Sequence, residues 1–167
     1  RRSSDLITPI IYSAYQESTD IILSLLHNGA NVDHISHHGI TMFFAACFMC
    51  HTGIIKMFIK KNRVNHHTDL GHTSIHSAIY LRGQEIKHLV IKDLTLHIEE
   101  AITPEKLIKQ KVQPIAQGIP FEKNSVVSDK KRSEVVALLF PYADDINARN
   151  YAGETGFFLA CSQGMVD

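Results

Sequence analysis

The sequence lacks a net charge, because its 17 Lys and Arg residues are balanced by 17 Asp and Glu residues. A strongly basic chain would indicate binding to nucleic acid or to an anionic membrane, and this balance gives no electrostatic case for either. The sequence also lacks an apolar run of the roughly 20 residues that a membrane-spanning helix needs, and no signal peptide opens it. We therefore predict neither a nucleic-acid partner nor a membrane.

Cysteine is scarce, with three residues among 167. An odd count in a chain without a signal peptide favours reduced thiols and an intracellular location, either cytoplasmic or nuclear. The rest of the composition, 44% hydrophobic and 20% charged, is ordinary for a soluble protein that buries a continuous core. We predict a single domain over residues 1–167.

The signatures of common catalytic sites are missing as well. The sequence contains no G-x-S-x-G, no G-x-x-x-x-G-K and no H-E-x-x-H pattern. Glu99 and Glu100 stand near His97, but we expect them in a solvated insertion, where a carboxylate pair has no catalytic task. We predict that the protein is not an enzyme and has no catalytic residue.

Two patterns suggest a cofactor, and each has a simpler explanation. Residues 47–51 match C-x-x-C-H, in which two thiols attach haem and the histidine binds iron. The eleven histidines suggest zinc, which needs three or four ligands around one ion. His34 and His66 are equivalent residues of successive repeats, which lie roughly 8–10 Å apart, so they cannot share an ion. We predict no metal and no cofactor, with Cys47 serving as a small residue inside a helix.

The sequence does contain a repeated pattern. Each copy begins with threonine and ends in small or apolar residues. In the first three copies a second apolar run follows about twelve residues after the threonine, which predicts a helix, a turn and a second helix. The first three threonines, Thr8, Thr41 and Thr73, stand 33 and 32 residues apart. A glycine, supplying the positive φ of a tight turn, lies two residues before three of the threonines. The first runs are residues 8–14, 41–47, 73–79 and 155–161, and the second runs are residues 20–26, 53–59 and 85–91.

This period and the threonine-led helix start resemble the ankyrin repeat. The resemblance implies an all-α solenoid of helix-turn-helix units with protruding turn or hairpin fingers. Because Thr155 follows Thr73 by 82 residues, we predict one hidden repeat, with helices over 113–119 and 134–140 and with two insertions near 93–112 and 120–132. The predicted repeats cover about residues 4–35, 36–67, 68–100, 101–149 and an incomplete 150–167.

The resemblance also implies where a partner binds. In this family the concave surface is built from the fingers and from the exposed side of each first helix. Tyr15, Phe48 and Tyr80 occupy one equivalent helix position, and we expect an exposed aromatic ladder that dominates binding. The positions implied on the helices are Tyr15, Gln16, Phe48, Met49, Tyr80, Leu81, Ser162 and Gln163, and those in the fingers are His37, His38, Ile40, Asp69, Leu70, His72, Tyr151, Ala152 and Glu154.

The resemblance implies a function too. We expect a monomeric, non-enzymatic scaffold that holds a protein or peptide on its concave face. The alternative is a structural or regulatory segment of a larger protein, in which the repeats pack against a domain absent from this chain.

The three thiols are expected to differ in their reactivity, whichever function is right. Cys47 and Cys161 are expected to be buried in helices, and Cys50, which lies at the turn between helices, is expected to react faster with a thiol reagent.

Overall fold

The structure is a computed structural model that describes residues 7–79 and 127–165. Within these two ranges the chain is helical and forms no β-strand, only isolated antiparallel bridges that join Ile35 to Thr41 and Arg149 to Thr155. The helices in these ranges are α1 (Pro9–Tyr15), α2 (Thr19–His27), α3 (Met42–Phe48), α4 (Thr52–Phe58), α5 (Lys61–Val64), α6 (Ser74–Ile79), α7 (Asp129–Leu139), a 3₁₀ helix (Phe140–Tyr142) and α8 (Gly156–Ser162).

Threonine side chains cap the first helices α3 and α8. The Oγ1 atom of Thr41 accepts a hydrogen bond from the Phe44 N–H at 3.1 Å, and that of Thr155 accepts one from the Phe158 N–H at 3.1 Å. In α1, Pro9 takes the first turn, where its missing N–H leaves no helical hydrogen bond unmade. The helices are too short to persist alone, since isolated helices below about 12–15 residues are marginal in water. Packing between them must therefore stabilise the fold.

The helices stack in two layers. The first helices α1, α3, α6 and α8 lie side by side in this order, and α2, α4 and α7 pack against α1, α3 and α6 respectively. The core lies between the layers, where the largest fully buried side chains include Ile11, Phe43, Phe44, Ile54 and Ile55. This arrangement is the predicted solenoid of helix-turn-helix units.

The α6 helix contacts two helices that come much later in the chain. The α8 helix packs directly on α6, although Thr155 follows Thr73 by 82 residues. The second-helix place beside α6 is taken by α7, which begins at Asp129 and so overlaps the insertion predicted over 120–132. The boundaries of the predicted repeats 68–100 and 101–149 stay a prediction, because they depend on residues outside the described ranges. The helices predicted over 85–91 and 113–119 lie outside the described residues.

An ion pair links the first two units on the side of the second helices. The Arg63 guanidinium donates to both carboxylate oxygens of Asp33, with Nε 2.6 Å from Oδ1 and Nη2 3.1 Å from Oδ2, and it donates from Nη1 to the Phe58 carbonyl at 2.7 Å. The hydrogen bonds from Arg63 hold the pKa of Asp33 below its ordinary value. This bidentate pair fixes the spacing of neighbouring units.

Candidate partner-binding face

Three tight turns, at residues 36–40, 68–72 and 150–154, precede α3, α6 and α8, and we refer to them as the fingers. In each finger the N–H of the first residue donates to the carbonyl of the fifth, and the side-chain oxygen of the first accepts from the N–H of the fifth. Ser, Thr and Asn are short enough to close a turn in this way. The backbone bonds are Ser36 to Ile40 at 2.9 Å, Thr68 to His72 at 3.0 Å and Asn150 to Glu154 at 2.9 Å, and the side-chain bonds measure 3.2, 3.2 and 2.9 Å.

Backbone hydrogen bonds also join each finger to the next. The Asp69 N–H donates to the His38 carbonyl at 3.1 Å, and the Tyr151 N–H donates to the Leu70 carbonyl at 3.0 Å. These are equivalent bonds, since Asp69 and Tyr151 both stand four residues before the threonine of their unit. The three fingers therefore lie side by side in register. This includes the second and third fingers, although residues 80–126 lie between them in the sequence.

Glycine makes this close approach possible. Gly39 and Gly71 have φ values of +75° and +76°, which L side chains rarely adopt. A Cβ atom on Gly39 would lie 2.8 Å from the Thr68 Cα atom, and one on Gly71 would lie 3.0 Å from the Tyr151 nitrogen. The glycines thus serve both the turn itself and its contact with the next finger.

The finger tips are exposed and aligned. His37, Asp69 and Tyr151 occupy the same position of their fingers, and the Tyr151 side chain is 80% exposed. Asp69 Oδ2 lies 3.5 Å from His38 Nδ1, so a carboxylate and an imidazole meet where two fingers touch. Leu70 is half-buried beside them, and Ala152 is exposed. The exposed row thus consists of an imidazole, a carboxylate and a phenol.

Other predicted finger residues lie inside. Ile40 is fully buried, His38 and His72 are buried, and Glu154 is half-buried. Ile40 and His72 stand just before the threonine of their units, whereas His38 directly follows a finger tip. The expectation that Ile40, His38 and His72 face a partner is therefore corrected: they fill and brace the fingers.

The aromatic ladder is also part of the core. Tyr15 and Phe48 are only 5% and 8% exposed, and their ring centroids lie 6.1 Å apart at an interplanar angle of 66°. They meet edge to face between α1 and α3, a favourable geometry for two aromatic rings. The expected exposure of this pair is wrong, because neighbouring first helices approach closely enough to enclose both rings.

The other predicted helix positions differ in exposure. Gln16, Met49 and Gln163 are half-buried, and Ser162 is exposed. Tyr80 and Leu81 lie outside the described residues.

A buried histidine pair joins the unit of α6 to the unit of α8. His76 Nδ1 accepts from the Thr73 N–H at 3.2 Å, which assigns the ring proton to Nε2, and this atom lies 3.1 Å from the Glu154 carbonyl oxygen. His72 Nε2 lies 3.2 Å from Asn150 Nδ2, which also donates to the Glu154 carboxylate at 2.8 Å. Burial lowers the pKa of His72 to about 4 and lowers the pKa of His76 as well. Both rings are thus neutral in the folded protein at pH 7.

The C-x-x-C-H segment, residues 47–51, covers the end of α3 and the turn that leads to α4. Cys47 and Cys50 are fully buried, and burial raises the pKa of both thiols. His51 Nε2 lies 3.1 Å from both the Thr19 hydroxyl and the Glu17 carbonyl oxygen, so this ring ties the second unit to the first. The expected order of reactivity is corrected: Cys50 is enclosed and Cys161 is exposed.

His66, which lies two residues before the second finger, has a structural contact too. His66 Nε2 lies 2.9 Å from the Gly39 carbonyl oxygen, across the boundary of two units.

In the ranges 7–79 and 127–165, no group of three or more His, Cys, Asp or Glu side chains could hold a metal ion. Within the same ranges, no helix is long and apolar enough to cross a bilayer.

A comparison with protein-family models gives one match. The model described as "Ankyrin repeats (3 copies)" matches residues 8–99, more than half of the chain. The matched region includes the first two fingers and α1 to α6. A comparison with curated proteins gives no match.

Proposed function

Because the chain belongs to the ankyrin-repeat family, we propose that it is a non-enzymatic scaffold that binds a protein partner along its finger tips. Ankyrin repeats are in general protein-interaction modules and are typically without catalytic activity. The observation that carries the proposal is the register of the fingers, in which His37, Asp69 and Tyr151 form one exposed row. Buried, reduced thiols at Cys47 and Cys50 accord with an intracellular role.

The row suits protein recognition for a physical reason. Tyrosine supplies a large rigid contact with little loss of conformational entropy, and binding energy concentrates in a few such side chains. The Tyr151 backbone is held by the neighbouring finger, because its N–H donates to the Leu70 carbonyl, and the ring begins beside Gly71. A side chain positioned in advance loses less entropy when a partner binds.

The test compares two triple variants of the immobilised chain. The finger variant carries His37→Ala, Asp69→Ala and Tyr151→Ala, and the control carries Asp20→Ala, Lys56→Ala and Met57→Ala, all exposed on α2 and α4. Proteins that the wild type captures from a lysate are identified and their dissociation constants are measured by calorimetry. We expect the control to bind normally and Tyr151→Ala alone to cost about 2 kcal/mol, or roughly 30-fold in affinity. Equal binding by the finger variant would contradict the proposal.

The alternative function, a segment that packs against another domain, draws on a different observation. Phe157 and Phe158 of α8 are 76% and 55% exposed, far from the usual burial of phenylalanine. In that case a Phe157→Ser substitution, rather than the finger variant, would abolish association with the domain. The same binding measurement on the Phe157→Ser protein decides between the two functions.

A further inference from the structure

Two buried histidines hold the third finger to the second. The ring centroids of His72 and His76 lie 5.9 Å apart, and the equivalent residues of the preceding unit are Ile40 and Phe44, which do not titrate. The two rings contact one polar side chain and one carbonyl of the third finger. We refer to the four residues of this contact as the histidine joint: His72, His76, Asn150 and Glu154.

The contact of His72 needs a neutral ring. Asn150 Nδ2 lies 3.2 Å from His72 Nε2, while Asn150 Oδ1 accepts from the Glu154 N–H at 2.9 Å. A backbone N–H can only donate, which fixes the amide with its NH₂ group towards the ring, so His72 Nε2 accepts. A proton on this nitrogen would place two donors face to face. Flipping the amide would break its bond to the Glu154 N–H.

The contacts of His76 also need a neutral ring. Nδ1 accepts from the Thr73 N–H at 3.2 Å, and Nε2 donates to the Glu154 carbonyl at 3.1 Å. The tautomer with its proton on Nε2 satisfies both contacts. A second proton, on Nδ1, would face the Thr73 N–H, which is another donor.

The first and second fingers are joined by histidines of the opposite kind. His66 Nε2 lies 2.9 Å from the Gly39 carbonyl oxygen, an acceptor, and a ring that donates keeps its bond when it gains a proton. His38 Nδ1 lies 3.5 Å from the Asp69 carboxylate, which would attract a charged imidazole. Acid therefore acts against the histidine joint and not against the joint before it.

The groups around the two rings do not reverse this effect. Burial is the main cause that lowers the pKa of His72 to about 4, and it also lowers the pKa of His76. His76 opposes a charge on His72, and His67 opposes one on His76. The Glu154 carboxylate raises both pKa values, and the Glu154 and Ala148 carbonyls raise that of His76, but burial outweighs them. The closed joint thus resists a proton that an exposed histidine takes up near pH 6.5.

Few buried side chains hold the unit of α8 in place. Within α8 only Gly156 and Leu159 are buried, whereas all seven residues of α3 are. Segments with few buried contacts open at a lower free energy than the whole protein. Loss of the histidine joint is therefore expected to release this unit before the others unfold.

We propose that the histidine joint is a proton-controlled device, which acid opens so that the third finger and α8 leave the register while the first two fingers keep theirs. Opening withdraws Tyr151 from the exposed row. This regulation of partner binding rests on the proposed function, but the opening itself does not depend on a partner.

Amide hydrogen exchange tests the opening one bond at a time. NMR gives the protection of two equivalent amides at pH 7 and pH 4.5, corrected for the intrinsic exchange rate at each pH. The Tyr151 N–H donates to the Leu70 carbonyl across the histidine joint, and the Asp69 N–H donates to the His38 carbonyl across the joint before it. We expect the protection of Tyr151 to fall on the order of 30-fold and that of Asp69 by less than about three-fold.

Two variants identify the group responsible. His72→Gln removes the titrating ring and leaves an amide oxygen that can accept from Asn150, so the loss at Tyr151 should shrink to at most about six-fold. His66→Gln, at the other joint, should leave the full loss. Equal losses at Tyr151 and Asp69 in the wild type, no loss at Tyr151, or a full loss in His72→Gln would each overturn the proposal. The comparison within the wild type does not require either variant to fold.

Partner affinity separates this proposal from the proposed function. The dissociation constant of a protein captured at pH 7 is measured at both pH values, beside the exchange of Tyr151. If the protection of Tyr151 falls as expected while the affinity stays the same, the opening is supported and the finger-tip binding site is wrong. If the affinity falls while the protection stays the same, the proposed opening is wrong.

Discussion

Phe48 and Phe157 are the same side chain in two different surroundings. Phe48 is 8% exposed and contacts the Tyr15 ring, whereas Phe157 is 76% exposed. Removing a buried phenylalanine ring loses its transfer free energy and leaves a cavity. Removing an exposed ring loses little of either, because water already surrounds it.

We therefore expect Phe48→Ala to lower the free energy of unfolding by about 3 kcal/mol and Phe157→Ala to change it by less than about 0.5 kcal/mol. Urea unfolding curves of the two variants beside the wild type measure both values. The substitution is identical in each, so only the position differs. Equal midpoints for Phe48→Ala and the wild type would show that the Tyr15–Phe48 contact is not part of the core.

Residue burial is where prediction from the sequence was weakest. The repeat pattern correctly assigned Cys47 to the interior of a helix, but it assigned Cys161 in the same way, because each cysteine stands six residues after the threonine of its unit. Burial depends on the neighbouring unit, and a local pattern contains no information about it. For the same reason the pattern could not reveal that α1 and α3 enclose the rings of Tyr15 and Phe48.

Elements were easier to predict than burial. The threonine caps and the apolar runs gave α1 to α4 and the starts of α6 and α8, since these signals are local hydrogen bonds and local periodicity. The pairing of α7 with α6 was missed because residues 80–126 separate them, and sequence spacing does not encode contacts across so long an interval. The finger glycines, by contrast, were predicted from turn chemistry alone.

The fingers provide a matched pair of glycines. Gly39 and Gly153 have φ values of +75° and +80°, but a Cβ atom would lie 2.8 Å from the Thr68 Cα atom at Gly39 and would have no atom within 4 Å at Gly153. Alanine at Gly153 thus costs only the positive φ, about 1–2 kcal/mol. Alanine at Gly39 must in addition displace the backbone of the next finger, and overpacking of this kind costs about 1–3 kcal/mol more.

We accordingly expect Gly39→Ala to be the more destabilising of the two substitutions. Thermal and urea unfolding of both variants give the difference directly. Equal losses would mean that the fingers can move apart at no cost, and the finger register could then not carry the proposed function. Equal losses would therefore contradict the proposed binding site as well as the explanation of the two glycines.

On the scale of the whole molecule, the contact between the units of α6 and α8 makes stability depend on pH. His72 and His76 are buried at this contact, with Glu154 nearby, and His67 also acts on His76 by charge. Protonation would remove the acceptor that His76 Nδ1 offers to the Thr73 N–H. It would also place a charge on His72 where burial opposes it and the Glu154 carboxylate only partly compensates.

The direction in which stability changes with pH follows from the pKa of His72. This pKa is about 4 in the folded protein, against 6.5 for an ordinary histidine. Above pH 6.5 the ring is neutral in both the folded and the unfolded chain. Between pH 6.5 and 4 the unfolded chain binds a proton that the folded chain does not, so stability falls as the pH falls through this window. Below pH 4 both states are protonated and this loss levels off.

We expect His72 to account for a loss of about 2 kcal/mol between pH 7 and pH 4.5, measured from urea unfolding at each pH. A His72→Gln variant removes the titrating group and should show a shallower dependence, with the remaining slope due in part to His76. A His37→Gln variant changes an exposed finger tip and should keep the full slope. If the wild type were equally stable at pH 7 and pH 4.5, or if His37→Gln flattened the curve as much as His72→Gln, the buried pair would not be the source of the pH dependence.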